Sequence, residues 1–251
     1  MDIFLNSKTC NRKINNESSD CYFYLPALEI DTMKERVFIK VKSASIPYSW
    51  YNVNDYNNIL DSSIDGNNHS FSIPIGNYNV NTLLIEINLL LVDFDIILTY
   101  VLKTNHILFT STSIFSFLAS STIDEILGFN NNVSYISNEI IIDSEMIYKL
   151  ESVNGFNLFQ VRQIYISSDN LQIDNMSNHN PNNKSTLLAV QVLRNPNSII
   201  TYNDSSENSH EIHNVTNLTN LHIKLTDEMS RPLLLNRMNW SLTISIIFKK
   251  R

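Results

Sequence analysis

The residue types that most often carry chemistry are dispersed along this chain. The tightest grouping is His210-Glu211-Ile212-His213, which could bind a metal or sense pH because imidazole titrates near neutrality. Its spacing matches neither the HExxH pattern nor the Cys/His patterns of zinc sites, so a solvated loop is the better interpretation. The other histidines occur singly: His69, His106, His179 and His222. We therefore predict no metal site.

Paired carboxylates, which could perform acid–base catalysis, occur at Asp93/Asp95 and at Asp124/Glu125. The first pair borders a predicted strand, and the second opens a predicted helix, where acids favour the positive end of the helix dipole. The sequence contains no Gly-x-Ser-x-Gly elbow and no glycine-rich phosphate loop. We therefore predict that the protein is not an enzyme, with no catalytic residue, no cofactor-binding residue and no cofactor.

The two cysteines, Cys10 and Cys21, lie near the N-terminus and could close one small loop. Two thiols do not make a disulfide framework, so free reduced thiols are the simpler interpretation. The sequence leaves open whether they pair.

The composition restricts the class of protein. The chain has 251 residues, a net charge of −7, only 17% charged residues and four glycines, whereas asparagine fills about one position in seven. A chain of this length buries enough surface for a core without metal or disulfide support. So few glycines disfavour a nucleotide-binding α/β enzyme, whose phosphate-binding turns need them.

Basic residues and apolar runs indicate neither nucleic-acid binding nor a membrane span. Lysine and arginine cluster only at Lys8, Arg12 and Lys13 and at the C-terminal Lys249-Lys250-Arg251, which is not the footprint of a nucleic-acid-binding protein. The most apolar window, 82–102, contains three carboxylates that would be costly inside a bilayer. Because the sequence opens without a basic segment, we expect no signal peptide.

The apolar periodicity predicts mostly strands. Val37, Ile39 and Val41 alternate with Phe and Lys, and from Trp240 to Phe248 every second residue is apolar. Further strands are expected over these ranges: 71–75, 96–102, 107–112, 159–166, 187–193, 199–202 and 221–225. Two short helices are expected, one from Thr82 to Leu91 with Asn81 as its N-cap, and one opening with a capping box at Thr122–Glu125 and ending at Gly128.

The remaining segments are expected to be irregular. Residues 1–35 are predicted to form an N-terminal arm and lead-in, and residues 36–251 a single domain, with polar loops at 167–184 and 203–217. About eight to ten short strands without a βαβ rhythm predict an all-β, antiparallel jelly-roll sandwich with two short helices in its connections.

Several motifs resemble one known family. The closing segment contains Leu225-Thr226-Asp227-Glu228, then Pro232-Leu233, then Asn239-Trp240-Ser241-Leu242-Thr243-Ile244. Earlier motifs are Ile46–Val53 after the first core strand, Ile75–Tyr78 before a helix, and Leu127-Gly128-Phe129. Together they resemble the single jelly-roll penton (vertex) capsid proteins of virophages and of Polinton-like or adintovirus-like double-stranded DNA viruses.

This resemblance implies a structural virion protein made in the host cytoplasm or virus factory. It implies homopentamers at the five-fold vertices of an icosahedral capsid, with the chain itself and the major capsid protein of the same virus as partners. The residues leave three alternatives open: another capsid component such as a minor capsid protein, a receptor-binding or glycan-binding jelly roll, and an enzyme on a β scaffold.

Overall fold

A computed structural model of the chain describes residues 1–31, 33–142, 145–159, 161–173, 185–193, 196–204, 209–213 and 216–251. The chain forms two compact units. Unit 1 comprises Met1–Trp50 and Val161–Arg251, and unit 2 comprises Tyr51–Gln160. The arm and single domain predicted from the sequence differ from this partition, because apolar periodicity does not reveal which strands share a core.

Regular elements of the described residues follow one another along the chain as follows: β1 (Asp2–Asn6), β2 (Arg12–Lys13), β3 (Asp20–Glu29), β4 (Glu35–Pro47), β5 (Ile59–Ile64), β6 (Asn67–Ser72), α1 (Val80–Leu91), β7 (Ile97–Val101), β8 (His106–Ser111), β9 (Phe115–Phe117), α2 (Asp124–Leu127), β10 (Tyr135–Ile136), β11 (Asn138–Ile142), β12 (Glu145–Glu151), β13 (Gln163–Ser167), β14 (Gln172–Ile173), β15 (Thr186–Gln191), β16 (Ile199–Asn203), β17 (His210–His213), β18 (Asn217–Thr226) and β19 (Ser241–Lys250).

Unit 1 contains two antiparallel sheets. Sheet 1 has the order β1-β19-β4-β17-β14, with β16 also paired to β4, and sheet 2 has the order β15-β13-β18-β3-β2. From β13 onward, β13, β15 and β18 belong to sheet 2 and β14, β16, β17 and β19 to sheet 1, so the chain passes repeatedly between the two sheets. The inward faces of the two sheets share one core. The all-β jelly-roll class predicted from the sequence is confirmed, although the strands are more numerous than predicted.

The C-terminal strand follows its predicted pattern. Leu242, Ile244 and Ile246 of β19 are buried, whereas Ser241 and Thr243 are only partly covered. The strand pairs with β4 along its whole length, and β4 ends at Pro47, which cannot donate a backbone hydrogen bond.

The N-terminal residues form part of sheet 1 instead of the predicted arm. β1 pairs with β19 from Asp2 opposite Ser245 to Asn6 opposite Ser241, and Leu5 is buried. The Asp2 carboxylate accepts a hydrogen bond from Lys42 Nζ at 2.7 Å. The sequence pattern did not indicate this strand, because only Ile3 and Leu5 pack on the core and the partner strand β19 lies about 240 residues away in sequence.

The polar segment 203–217 also contains a strand. His210–His213 pairs with β4, with Glu211 opposite Phe38, and Ile212 is buried in the core. The surrounding Asn and Ser residues obscured this strand because only one of its four side chains is apolar. Most of the predicted loop at 167–184 lies outside the described residues.

Unit 2 has its own core, built from two four-stranded antiparallel sheets and from α1 and α2. The sheets have the orders β10-β9-β5-β6 and β11-β12-β8-β7. A turn at Gly66 joins β5 to β6, and residues 102–105 join β7 to β8.

Both helices form where the sequence predicts them, with different caps. α1 begins two residues early, because Asn79 accepts the Thr82 N–H and Thr82 Oγ1 in return accepts the Asn79 N–H. The predicted N-cap Asn81 instead lies inside the helix. The predicted capping box of α2 does not form, since Thr122 Oγ1 accepts the Ile59 N–H. Gly128 ends α2 in the left-handed conformation, as predicted.

Candidate functional site

The histidine grouping of unit 1 is part of the fold. His210 Nε2 lies 3.1 Å from the Leu187 carbonyl oxygen, and Glu211 lies 3.8 Å from Arg36. Both residues belong to β17 and link it to its neighbours. Within the part of the chain that the structure describes, no three His, Cys, Asp or Glu side chains are placed to hold a metal ion.

The carboxylate pairs of unit 2 lie at helix ends. Asp93 belongs to a 3-10 turn that follows α1, and Asp95 ends that turn with a φ of 53°. Asp124 is buried at the start of α2, where its carboxylate accepts the Glu125 N–H at 3.0 Å. Burial raises the pKa of Asp124 above its usual value, although this hydrogen bond favours the ionised form. The geometry is that of a helix start.

Both cysteines are free thiols. Cys21 is fully buried on β3, and its thiol donates a hydrogen bond to the Ser18 carbonyl oxygen at 3.3 Å. Burial raises the pKa of Cys21 far above its usual value, because a thiolate in the core would be unsolvated. Cys21 is therefore a core side chain and not a nucleophile.

The motif Leu225–Glu228 forms a tightly bonded turn. The buried Asp227 accepts the N–H groups of Met229 and Arg231, both at 2.9 Å, and its second oxygen accepts from Arg231 Nε at 2.7 Å. Glu228 Oε1 accepts the N–H groups of Arg162 and Gln163, both at 2.7 Å. Both carboxylates therefore bind backbone within the fold.

The last part of the closing segment, Asn239–Ile244, anchors the C-terminal strand. Trp240 is almost wholly buried, with its ring edge against Phe23 at 5.8 Å between ring centroids. Its indole N–H donates to the Ser18 carbonyl oxygen, and its backbone N–H donates to Ser7 Oγ at 3.0 Å. The motif that carries the sequence resemblance thus joins three distant parts of unit 1.

A polar cluster on the outer face of sheet 2 was not predicted from the sequence. His222 Nε2 lies 2.5 Å from Asp20 Oδ1, and Nδ1 lies 3.8 Å from Asp169. Tyr22 stacks on the His222 ring at 3.9 Å, and Lys224 pairs with Asp169. These residues come from distant segments of the chain. The only sequence signal for the cluster is the alternation of His222 and Lys224 with buried leucine and isoleucine, which indicates that both face outward.

The outer-face cluster is internally paired. Partial burial alone would lower the pKa of Lys224, but the hydrogen bond and the charge of Asp169 outweigh it and raise that pKa. His222 is only 6% exposed and donates its backbone N–H to Asn170 Oδ1 at 3.0 Å. The arrangement holds the segment after β13 against β18.

Unit 2 presents apolar side chains to solvent. Ile85, Leu89 and Val92 are 58%, 64% and 62% exposed, and their spacing places them on one face of α1 and the turn after it. On the β11–β12 hairpin, Ile141 is 70% and Met146 is 51% exposed. Apolar surface of this kind marks sites of protein association. Among the described residues, no helix is long and apolar enough to cross a membrane.

Neither the known protein families nor the curated proteins contain a match to this sequence. Among solved structures, the chain is similar to the penton protein of mavirus, with a TM-score of 0.49, 13% identity and full coverage of both chains. It is also similar to a chain in the cryo-EM structure of the Sputnik virophage, with a TM-score of 0.47, 14% identity and coverage of 99% of this chain and 98% of the other.

Proposed function

We propose that this chain is a structural virion protein, a penton that forms homopentamers at the five-fold vertices of an icosahedral capsid. Its partners are then further copies of itself and the major capsid protein of the same virus, which it meets around its rim. Its location is the capsid vertex, after synthesis in the host cytoplasm or virus factory. The proposed role requires no cofactor and no catalytic residue.

The observation that carries this proposal is the role of the motif residues. Asp227, Glu228 and Trp240 belong to the segment that resembles the penton family, and each is bonded to backbone in the body of unit 1. A segment whose polar groups are engaged in this way supports a role in shape rather than in reaction.

The exposed surface of unit 2 supports the oligomer. Ile85, Leu89 and Ile141 are each more than half exposed, which is costly unless a partner covers them. Contacts between unlike surfaces of identical chains generate a closed ring when the rotation allows it. A ring of five requires an interface on the order of 1,000–2,000 Å² for each neighbouring pair.

Native mass spectrometry of the purified protein tests the pentamer. We expect a species of five times the 28.9 kDa chain mass at micromolar concentration. The Asp227→Ala variant is a control for the fold. Loss of the hydrogen bonds that Asp227 accepts should lower the stability of unit 1 before it affects association. A monomer or a trimer of well-folded protein would contradict the proposal, and a trimer would favour another capsid component.

A second candidate, a glycan-binding jelly roll, is favoured by one observation. Tyr24 on the outer face of sheet 2 is 66% exposed and lies opposite Asn220, beside the Tyr22–His222 stack. An exposed aromatic ring among amide and carboxylate groups is the chemistry that stacks on a sugar ring and bonds its hydroxyls. Binding to a glycan array that the Tyr24→Ala variant abolishes would support this function, and equal signals from both proteins would exclude it.

A further inference from the structure

Asparagine side chains close two strand edges in this protein. In unit 2, Asn88 of α1 accepts the Leu98 N–H at 2.7 Å and donates to the Leu98 carbonyl oxygen at 3.1 Å, so it pairs with β7 as another strand would. In unit 1, Asn170 accepts the His222 N–H at 3.0 Å and donates to the Asn220 carbonyl oxygen at 2.8 Å. Proteins commonly blunt sheet edges to prevent unwanted pairing.

The edge strand β11 has no such closure. It pairs with β12 on one side, and on its other side no strand or side chain of the described residues pairs with its backbone. Ile140 and Ile141 are 40% and 70% exposed, and Met146 on the neighbouring strand is 51% exposed. An exposed apolar edge of this length is a template for pairing with another chain.

The hairpin is acidic as well as apolar. Residues 138–151 include four acids and one lysine, and Glu139 and Glu145 are exposed. Neither glutamate forms an ion pair among the described residues. A partner strand for this edge should therefore be basic.

Unit 1 carries a basic strand edge. β2 is the outermost strand of sheet 2 and pairs with β3 on one side. Lys8, Arg12 and Lys13 lie within six residues, and none of them pairs with a carboxylate among the described residues. Arg12 lies over the Tyr22 ring at 5.9 Å, which holds its guanidinium on the outer face of the sheet.

We propose that the β11–β12 hairpin of one copy docks on the β2 edge of a second copy. Glu139 and Glu145 would face Arg12 and Lys13, while Ile140 and Ile141 become covered. This inference deepens the proposed homopentamer and rests on it, since it names the contact that joins neighbours. The two surfaces are unlike each other, so the contact is head-to-tail and can close a ring. Because β2 has only two residues, charge contributes most of its selectivity, and high salt should weaken it.

Charge exchange tests the contact. One variant carries Glu139→Lys and Glu145→Lys, a second carries Arg12→Glu and Lys13→Glu, and a third carries all four changes. The matched control is Asp55→Lys with Asp65→Lys, which adds the same charge at exposed sites of the same unit away from β11 and α1. We expect each double exchange to raise the concentration for half-assembly at least tenfold in sedimentation velocity, and the fourfold exchange to restore most of the loss.

A second measurement does not depend on variants. Hydrogen exchange of wild-type protein should show the amides of 138–142 protected in the oligomer and exposed on dilution to monomer. If the wild type is a pentamer, assembly unaffected by the double exchanges or unchanged exchange at β11 would overturn the contact and leave the pentamer intact. A monomeric wild type would instead refute the proposed function, and the contact with it.

Discussion

Replacing Trp240 by alanine should destabilise unit 1 strongly. The side chain is 1% exposed, and burying a tryptophan removes on the order of 200 Å² from water. At about 25 cal/mol per Å² this area is worth roughly 5 kcal/mol as an upper estimate. Alanine retains part of it and a cavity opens, so we expect a loss of about 3–5 kcal/mol in the free energy of unfolding. Trp240→Phe keeps a ring but loses the indole hydrogen bond, which should cost about 2–3 kcal/mol.

Urea unfolding followed by far-ultraviolet circular dichroism measures these losses, and the fluorescence of Trp50 reports on the same unit in both variants. Ser241→Ala is the matched control, because the adjacent side chain points to the other face and should cost less than about 1 kcal/mol. Equal small losses at positions 240 and 241 would refute the assignment of the C-terminal strand to the core.

Three further experiments test particular contacts. Asn88→Ala should lower the stability of unit 2 by about 2 kcal/mol in thermal unfolding, because two hydrogen bonds to β7 are lost. A loss under about 0.5 kcal/mol would show that water replaces these bonds. Gly128→Ala should lower the free energy of unfolding by more than about 3 kcal/mol, since its Cβ would lie 2.2 Å from a backbone oxygen. The Cβ of Gly66→Ala meets no atom within 4 Å, so this variant should lose about 1 kcal/mol. Equal losses in the two variants would contradict this comparison. Iodoacetamide at pH 8 should label Cys10 in the native protein but label Cys21 only after unfolding, because burial raises the pKa of Cys21, and prompt labelling of both would contradict its burial.

Patterns among residues close in sequence correctly predicted some elements and their ends. The apolar alternation after Trp240 and the αL stop at Gly128 both depend on residues close in sequence, and both are as predicted. The Asn-rich segment before α1 offers several candidate N-caps, and the reciprocal bond with Thr82 selects Asn79 instead of the predicted Asn81.

Pairings between distant segments were not predictable in this way. The edge strand β1 depends on β19, and the outer-face cluster joins Asp20 to His222. The asparagines that close strand edges were equally hidden, because a carboxamide that replaces a backbone partner leaves no periodic signal. The high asparagine content therefore includes residues with a structural role, such as Asn88 and Asn170.

Cryo-EM of particles assembled with and without this chain tests the central claim most directly. Our account predicts density for five copies at each five-fold vertex when the chain is present, and empty or open vertices when it is absent. Fully closed vertices in its absence would contradict the penton assignment and favour a minor-capsid or receptor-binding role.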